Sequence, residues 1–121
     1  MEVIIYDSSP QIADRLADLI AEVTNDIQVY KSSSYDEVVK MLEGCKPDVV
    51  VLECRLSARS PLDIIVKARK LNSKVVTIML AGYINAYTRK QCKMMKPDFL
   101  YDKYHEFEKV SAVIKSIQTN H

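Results

Sequence analysis

The sequence predicts an α/β fold: a doubly wound, five-stranded parallel sheet in the order 2-1-3-4-5. Three observations carry that reading. Strand and helix patterns alternate five times in 121 residues, and alternation with short connections implies a parallel sheet covered by helices on both faces. The run Val49-Val50-Val51-Leu52 is wholly apolar, as a central strand buried on both faces must be. Three strand patterns end on or near a charged residue, Asp7, Glu53 and Lys103. Parallel strands bring such ends to one edge, where open α/β sheets place their sites.

Taken in order, residues 2–7 read as a strand, Val3-Ile4-Ile5-Tyr6 closing on Asp7. Pro10 suits a helix's first turn, where its missing N–H costs nothing, and Ile12, Leu16, Leu19, Ile20 and Val23 recur at helical spacing. Ile27 to Tyr30 is a short, half-polar strand. Ser34-Tyr35-Asp36-Glu37 fits a capping box, with Val38, Met41 and Leu42 on one face and Gly44 as the expected stop. Asp48 to Cys54 is the central strand. Ser60-Pro61 opens the third helix, carried by Leu62, Ile65, Val66 and Arg69. Asp63 reads as a first-turn acid favoured by the helix dipole. Val75 to Ala81 is the fourth strand, and residues 84–95 form a weakly amphipathic helix. Pro97 separates that helix from strand 98–102. Phe107, Val110, Val113, Ile114 and Ile117 give a strongly amphipathic last helix.

Composition narrows the function classes. The chain is long enough for one core, and residues 1–121 are expected to form a single domain. Seventeen basic and sixteen acidic side chains leave a formal charge of +1, which gives no electrostatic case for a nucleic-acid or membrane-surface partner. No apolar run approaches the ~18 residues of a membrane span, and the start lacks a signal peptide's basic segment. Cys45, Cys54 and Cys92 are odd in number and form no CxxC pair, so reduced thiols and a cytoplasmic location are expected. His105 and His121 have no metal-ligand spacing, and His105 reads as a surface residue in the last helix's first turn. The only glycines are Gly44 and Gly82, so there is no glycine-rich phosphate loop.

The landmarks, in their order, resemble a response-regulator receiver domain, of flavodoxin-like architecture, over the whole chain. Asp7-Ser8-Ser9-Pro10 is similar to that family's acidic pair and following proline. Pro47-Asp48 and the apolar run place Glu53 at the phosphoacceptor position. Leu56-Ser57 falls where the family has a hydrophobic residue and proline. Leu80-Ala81-Gly82-Tyr83 resembles the end of the fourth strand, with Ala81 at the switch Ser/Thr position. Pro97 to Lys103 resembles the fifth strand and the pocket lysine.

The departures from the family pattern bear on function. The resemblance implies Mg²⁺ held by two acids after the first strand, the phosphoacceptor and a backbone carbonyl. This chain keeps Asp7 but has Ser8 in place of the second acid. Glu53 replaces aspartate and reaches about 1.5 Å farther by bond geometry, where a misplacement of ~1 Å can cost about a hundredfold. Ala81 has no switch hydroxyl. Leu100 stands at the usual aromatic position, and Tyr101, one residue on, points to the other face by period-two alternation. Thr77 lies too far back to substitute, and Asp48 belongs to the opposite strand end.

These residues predict a stand-alone pseudo-receiver of two-component type, acting by protein–protein interaction and not as an enzyme. Its pocket is Glu53, Asp7, Ser8, Ala81 and Lys103. Lys103 is expected to meet Glu53, either as a structural salt bridge or as a mimic of a phosphorylated aspartate that holds the module "on". No cofactor is expected; Asp7 and Glu53, with a carbonyl near Arg55, offer at most weak divalent-ion binding. Tyr83, Tyr87, Tyr101 and Tyr104 fall where receivers carry their output and dimerisation surface, and tyrosine is enriched in interface cores. The expected partner is a histidine kinase, an output protein or a second copy. Arg89, Lys90, Lys93 and Lys96 read as a solvated helix face. Two alternatives stay open: a working receiver with an unusual acceptor in a histidine-kinase phosphorelay, and a small-ligand binder at the strand-end cleft.

Overall fold

A computed structural model describes residues 1–54, 61–82 and 85–119. The strands are β1 (Glu2–Tyr6), β2 (Gln28–Ser32), β3 (Val49–Glu53), β4 (Val76–Ala81) and β5 (Phe99–Asp102). The helices are α1 (Pro10–Val23), α2 (Tyr35–Cys45), α3 (Pro61–Leu71), α4 (Ala86–Met94) and α5 (Lys109–Thr119). All strand pairs are parallel, in the order β2-β1-β3-β4-β5. The predicted architecture and order are therefore the observed ones. No helix among the described residues is long and apolar enough to cross a membrane.

Alternation along the strands sorts the core into two layers, because successive side chains leave a strand on opposite faces. Ile4, Val50, Leu52 and Met79 pack with Val38 and Leu42 of α2 and with Ile64, Ile65 and Ala68 of α3. Val3, Ile5, Val49, Val51, Ile78 and Leu80 pack on the other face with Leu16 and Ile20 of α1 and Val110 and Ile114 of α5. β3 sits between β1 and β4 and is the strand buried along its length up to Glu53. Helix α4 is attached differently from the rest: Cys92 is its one buried residue.

Local chemistry sets the helix starts. The Ser9 and Ser34 hydroxyls accept from Ile12 N and Glu37 N, and the Asn85 side chain accepts from Thr88 N, which satisfies otherwise orphaned first-turn donors. Two boundaries differ from expectation. Gly44 lies inside α2; the helix stops at Lys46, which takes the left-handed conformation at φ 47° immediately before Pro47. Lys96 does the same at φ 55° before Pro97. Proline disfavours a helical residue before it, so a lysine–proline pair ends both excursions. α5 begins at Lys109, which leaves buried Phe107 and exposed His105 in the preceding turn and not in the helix.

Candidate functional site

The carboxyl ends of β1, β3 and β5 deliver Asp7, Glu53 and Lys103 to one place. The Lys103 ammonium donates to Asp7 Oδ1 at 2.9 Å and to Glu53 Oε1 at 3.0 Å. The backbone of Lys103 is fixed by its own N–H, which donates to the Ala81 carbonyl at 2.9 Å. Its side chain is 5% exposed, against 1% for Asp7 and 13% for Glu53. This is a nearly dry charge cluster, not a surface ion pair.

Ser8 completes it. The Ser8 N–H donates to Glu53 Oε2 at 2.8 Å and its hydroxyl donates to Glu53 Oε1 at 3.1 Å. The Glu53 side chain thus crosses to the loop after β1, where Ser8 becomes its donor. The sequence places Ser8 in the pocket but does not show this pairing. A physical signal for it exists all the same: a carboxylate that reaches farther needs a donor farther away, and serine supplies two. Asp7 Oδ1 also accepts from Ser9 N at 2.8 Å, while Asp7 Oδ2 is buried without a hydrogen-bond partner among the described residues.

The electrostatics follow from this geometry. Burial raises the Asp7 carboxyl above its ordinary value, and the Ser9 amide and Lys103 only partly oppose it. Burial also pushes Glu53 up, but the Ser8 amide and hydroxyl and the Lys103 ammonium outweigh it and hold the group below the ordinary carboxylate value. Burial pushes Lys103 down, and its bonds to Asp7 and Glu53 outweigh that, so its ammonium is held above the ordinary lysine value.

Most of the oxygens that could face a divalent ion such as Mg²⁺ here are turned to protein donors, Asp7 Oδ2 being the exception among the described residues. Mg²⁺ requires oxygen ligands in near-octahedral array. Both oxygens of Glu53 are already bonded, Asp7 Oδ1 faces an ammonium, and Ser8 turns an N–H and an O–H toward the space where a second acid would offer lone pairs. Among the described residues no group of three or more His, Cys, Asp or Glu side chains could hold a metal.

The other predicted residues scatter around this cluster. Ala81 is buried at the end of β4 and supplies no hydroxyl. Leu100 packs on the α2–α3 face and Tyr101 on the α1–α5 face, as alternation requires. Asp48 lies at the opposite strand end and accepts from Glu2 N at 2.8 Å. Asp63 is a first-turn acid paired with Lys67 at 3.4 Å. Tyr87 and Tyr104 are strongly exposed, whereas Tyr101 is half-buried and stacks on Phe99 with ring centroids 5.9 Å apart. Arg89, Lys90, Lys93 and Lys96 lie on the α4 side of the molecule, and Lys90 and Lys93 are exposed. Tyr83, Arg55, Leu56, Ser57 and His121 lie outside the described residues.

No protein-family model matches the chain. It is 24% identical over 115 residues to the sensory transduction protein LytT of Enterococcus faecalis, a match that covers 95% of this chain. The chain spans about half, 47%, of that relative's length. Among solved structures it is similar to the signal receiver domain of a DNA-binding response regulator from Colwellia psychrerythraea, with a TM-score of 0.84 at 15% identity and 98% of each chain covered. It is also similar to a response regulator from Burkholderia pseudomallei that carries a phosphorylated aspartic acid and a calcium ion. There the TM-score is 0.74 at 18% identity, with 97% of this chain and 72% of that one covered. The chain has the fold of response-regulator receiver domains.

Proposed function

We propose that this chain is a receiver-like signalling module of two-component type that works by protein–protein contact and without phosphorylation at its central acid. The observation that carries the reading is the bonding of Glu53. Both of its oxygens are held by Ser8 and Lys103, so the group standing where an acceptor aspartate would stand is already neutralised by protein donors. A phosphoryl donor would have to displace those bonds, and its cation would meet oxygens mostly turned to protein donors. Ala81 and Leu100 supply neither the hydroxyl nor the aromatic ring through which receivers relay such an event. The module binds a signalling partner or a second copy; the exposed Tyr87 and Tyr104 are its contact residues, with Tyr101 at their margin. It is a binding protein and not an enzyme.

Intact mass spectrometry after incubation with acetyl phosphate and Mg²⁺ tests this. The wild type should gain no phosphoryl group. Glu53→Asp alone should gain little, because Ser8 still replaces an acid. Glu53→Asp with Ser8→Asp should become phosphorylated. A gain on the wild type that disappears in Glu53→Gln overturns the reading in favour of a working receiver with a glutamate acceptor.

A further inference from the structure

We infer that the cleft between the carboxyl ends of β1 and β2 is a binding site for a small primary ammonium ligand, with the free carboxylate oxygen of Asp7 as its acceptor. The cleft is a cavity of about 180 Å³. Pro10, Ala13 and Asp14 of α1 line one wall, Lys31, Ser32 and Ser33 line the other, and Asp7 also borders it. The Asp7 N–H donates to the Ser32 carbonyl at 3.2 Å and ties the two strand ends together. Glu53 and Ser8 are not among the lining residues, so the cavity lies apart from the space that a divalent ion would share with Glu53.

Charge and bonding both leave Asp7 short of a partner. In the dry cluster one ammonium, Lys103, faces two carboxylates, Asp7 and Glu53. Ser8 adds two donors to Glu53, so the uncompensated charge falls on Asp7. Asp7 Oδ1 takes the bonds from Lys103 at 2.9 Å and from Ser9 N at 2.8 Å. Asp7 Oδ2 is buried and has no partner among the described residues, on a side chain 1% exposed. A buried carboxylate oxygen left unbonded is costly, and such exceptions call for an explanation. Burial pushes the Asp7 carboxyl above its ordinary value while Glu53 is held below its own, which agrees with this division.

The lining selects the ligand. A hard metal ion needs several oxygen ligands at once, and among the described residues no group of three or more His, Cys, Asp or Glu side chains could hold one. A primary ammonium needs one charge-assisted bond to Asp7 Oδ2. It has two further N–H donors, for which the Ser32 and Ser33 hydroxyls are acceptors in the lining. Pro10 and Ala13 offer apolar contact to a short alkyl chain. Asp14 and Lys31 pair with each other and stay 62% and 44% exposed, so neither charge competes for the head group. The cavity is smaller than the roughly 300 Å³ at which drug-sized pockets begin, which restricts the ligand to a few carbon atoms. The inference stands on Asp7 and its cavity and does not rest on the signalling reading.

The test is an amide chemical-shift titration of the wild type with propylammonium chloride, with tetramethylammonium chloride and MgCl₂ at matched ionic strength as controls. Propylammonium should give saturable shifts at the amides of Asp7, Ala13 and Ser33, with a Kd on the order of millimolar. Tetramethylammonium carries the same charge but no N–H, and its shifts should not saturate. Asp7→Asn keeps one carbonyl oxygen for Ser9 and Lys103 and replaces the free oxygen by an N–H donor; it should weaken propylammonium binding on the order of tenfold or more. Should Asp7→Asn fold poorly, Ala13→Val, which narrows the cavity and leaves the carboxylate in place, should weaken binding instead. Absence of saturation with propylammonium, an equal response to tetramethylammonium or Mg²⁺, or unchanged affinity in the folded variant would overturn the proposal. A carboxyl carbon shift that shows Asp7 protonated near neutral pH would overturn it too, because a proton would already cancel the charge.

Discussion

The two ends of this sheet both use carboxylates to organise strand termini, yet they do so in opposite ways. At the amino end, α2 and α4 are each followed by the same tripeptide, Lys46-Pro47-Asp48 and Lys96-Pro97-Asp98. Asp48 Oδ2 accepts from Glu2 N and Asp98 Oδ2 from Thr77 N, each at 2.8 Å, so each aspartate pins the start of the neighbouring strand. Thr77 and Asp98 satisfy one another further, at 3.0 Å in both directions, and Arg69 closes the group by donating to the Lys96 carbonyl at 2.7 Å. The Asp98 side chain remains 43% exposed. At the carboxyl end three charged groups from distant parts of the chain are nearly dry, and one buried oxygen, Asp7 Oδ2, has no partner among the described residues. A wetted, satisfied network is what a fold needs. A buried ion cluster is weak evidence for stability, because desolvation offsets its attraction, so the carboxyl end is the one read as a site.

The largest effect that can break this contrast is Lys103→Met. It leaves two carboxylates buried without their ammonium, and removal of one partner of a buried pair costs about 3–5 kcal/mol. Asp98→Ala at the other end removes hydrogen bonds to a part-exposed group and should cost about 1–3 kcal/mol. Urea unfolding of both variants checks the order. Equal losses would mean that the pocket is no drier than the turn.

A second, smaller effect separates the members of the pocket by pH. Glu53 is held below its ordinary 4.5, so the unfolded chain binds its proton first as pH falls; its contribution is present above 4.5 and is lost as pH drops through the lowered folded value. Asp7 has the opposite sign. Its carboxyl is raised from 3.8, so the native state binds that proton first and gains relative stability as pH falls through the raised value. Lys103 is raised from 10.5, so its contribution is complete below 10.5 and is lost as pH climbs through the folded value. Because the three share bonds, the titration belongs to the cluster. Glu53→Gln should therefore cost about 1–2 kcal/mol near neutrality and lessen the loss of stability on the acid side, while the alkaline loss carried by Lys103, still bonded to Asp7, persists. Unfolding free energies between about pH 3 and about pH 7 test it; an unchanged acid limb would show that Glu53 does not carry the shift.

The same contrast separates what is legible in the sequence from what is not. Five alternations, the apolar β3 and three charged strand ends are enough for the sheet order and for bringing Asp7, Glu53 and Lys103 together, since topology alone places parallel strand ends on one edge. Ser34 and Pro10 locate two helix starts because caps are local chemistry. Gly44 misleads because a helix tolerates glycine; the stop comes from lysines held left-handed before Pro47 and Pro97. α5 begins late because Asp102 gathers the turn, accepting from Tyr104 N and His105 N at 2.9 Å each, and a periodic apolar pattern carries no record of such a side-chain bond. The Ser8–Glu53 bonds join residues far apart in sequence, and neither spacing nor periodicity encodes them.

Ser8 gives the smallest effect and the sharpest one. Ser8→Ala deletes the hydroxyl bond to Glu53 Oε1 at 3.1 Å but keeps the amide bond to Oε2 at 2.8 Å. Its cost should fall at the low end of about 0.5–1.5 kcal/mol, because the bond is exposed and Lys103 still holds the carboxylate. Ser8→Asp inverts the chemistry at the same position. It replaces a donor with a like charge beside Glu53, which destabilises the chain unless a cation intervenes. Thermal melts with and without Mg²⁺ should then diverge: Mg²⁺ raises the melting temperature of Ser8→Asp and leaves the wild type unchanged. If Mg²⁺ stabilises both equally, the Ser8 donors do not exclude the ion, and the difference between the two sheet ends reduces to burial alone.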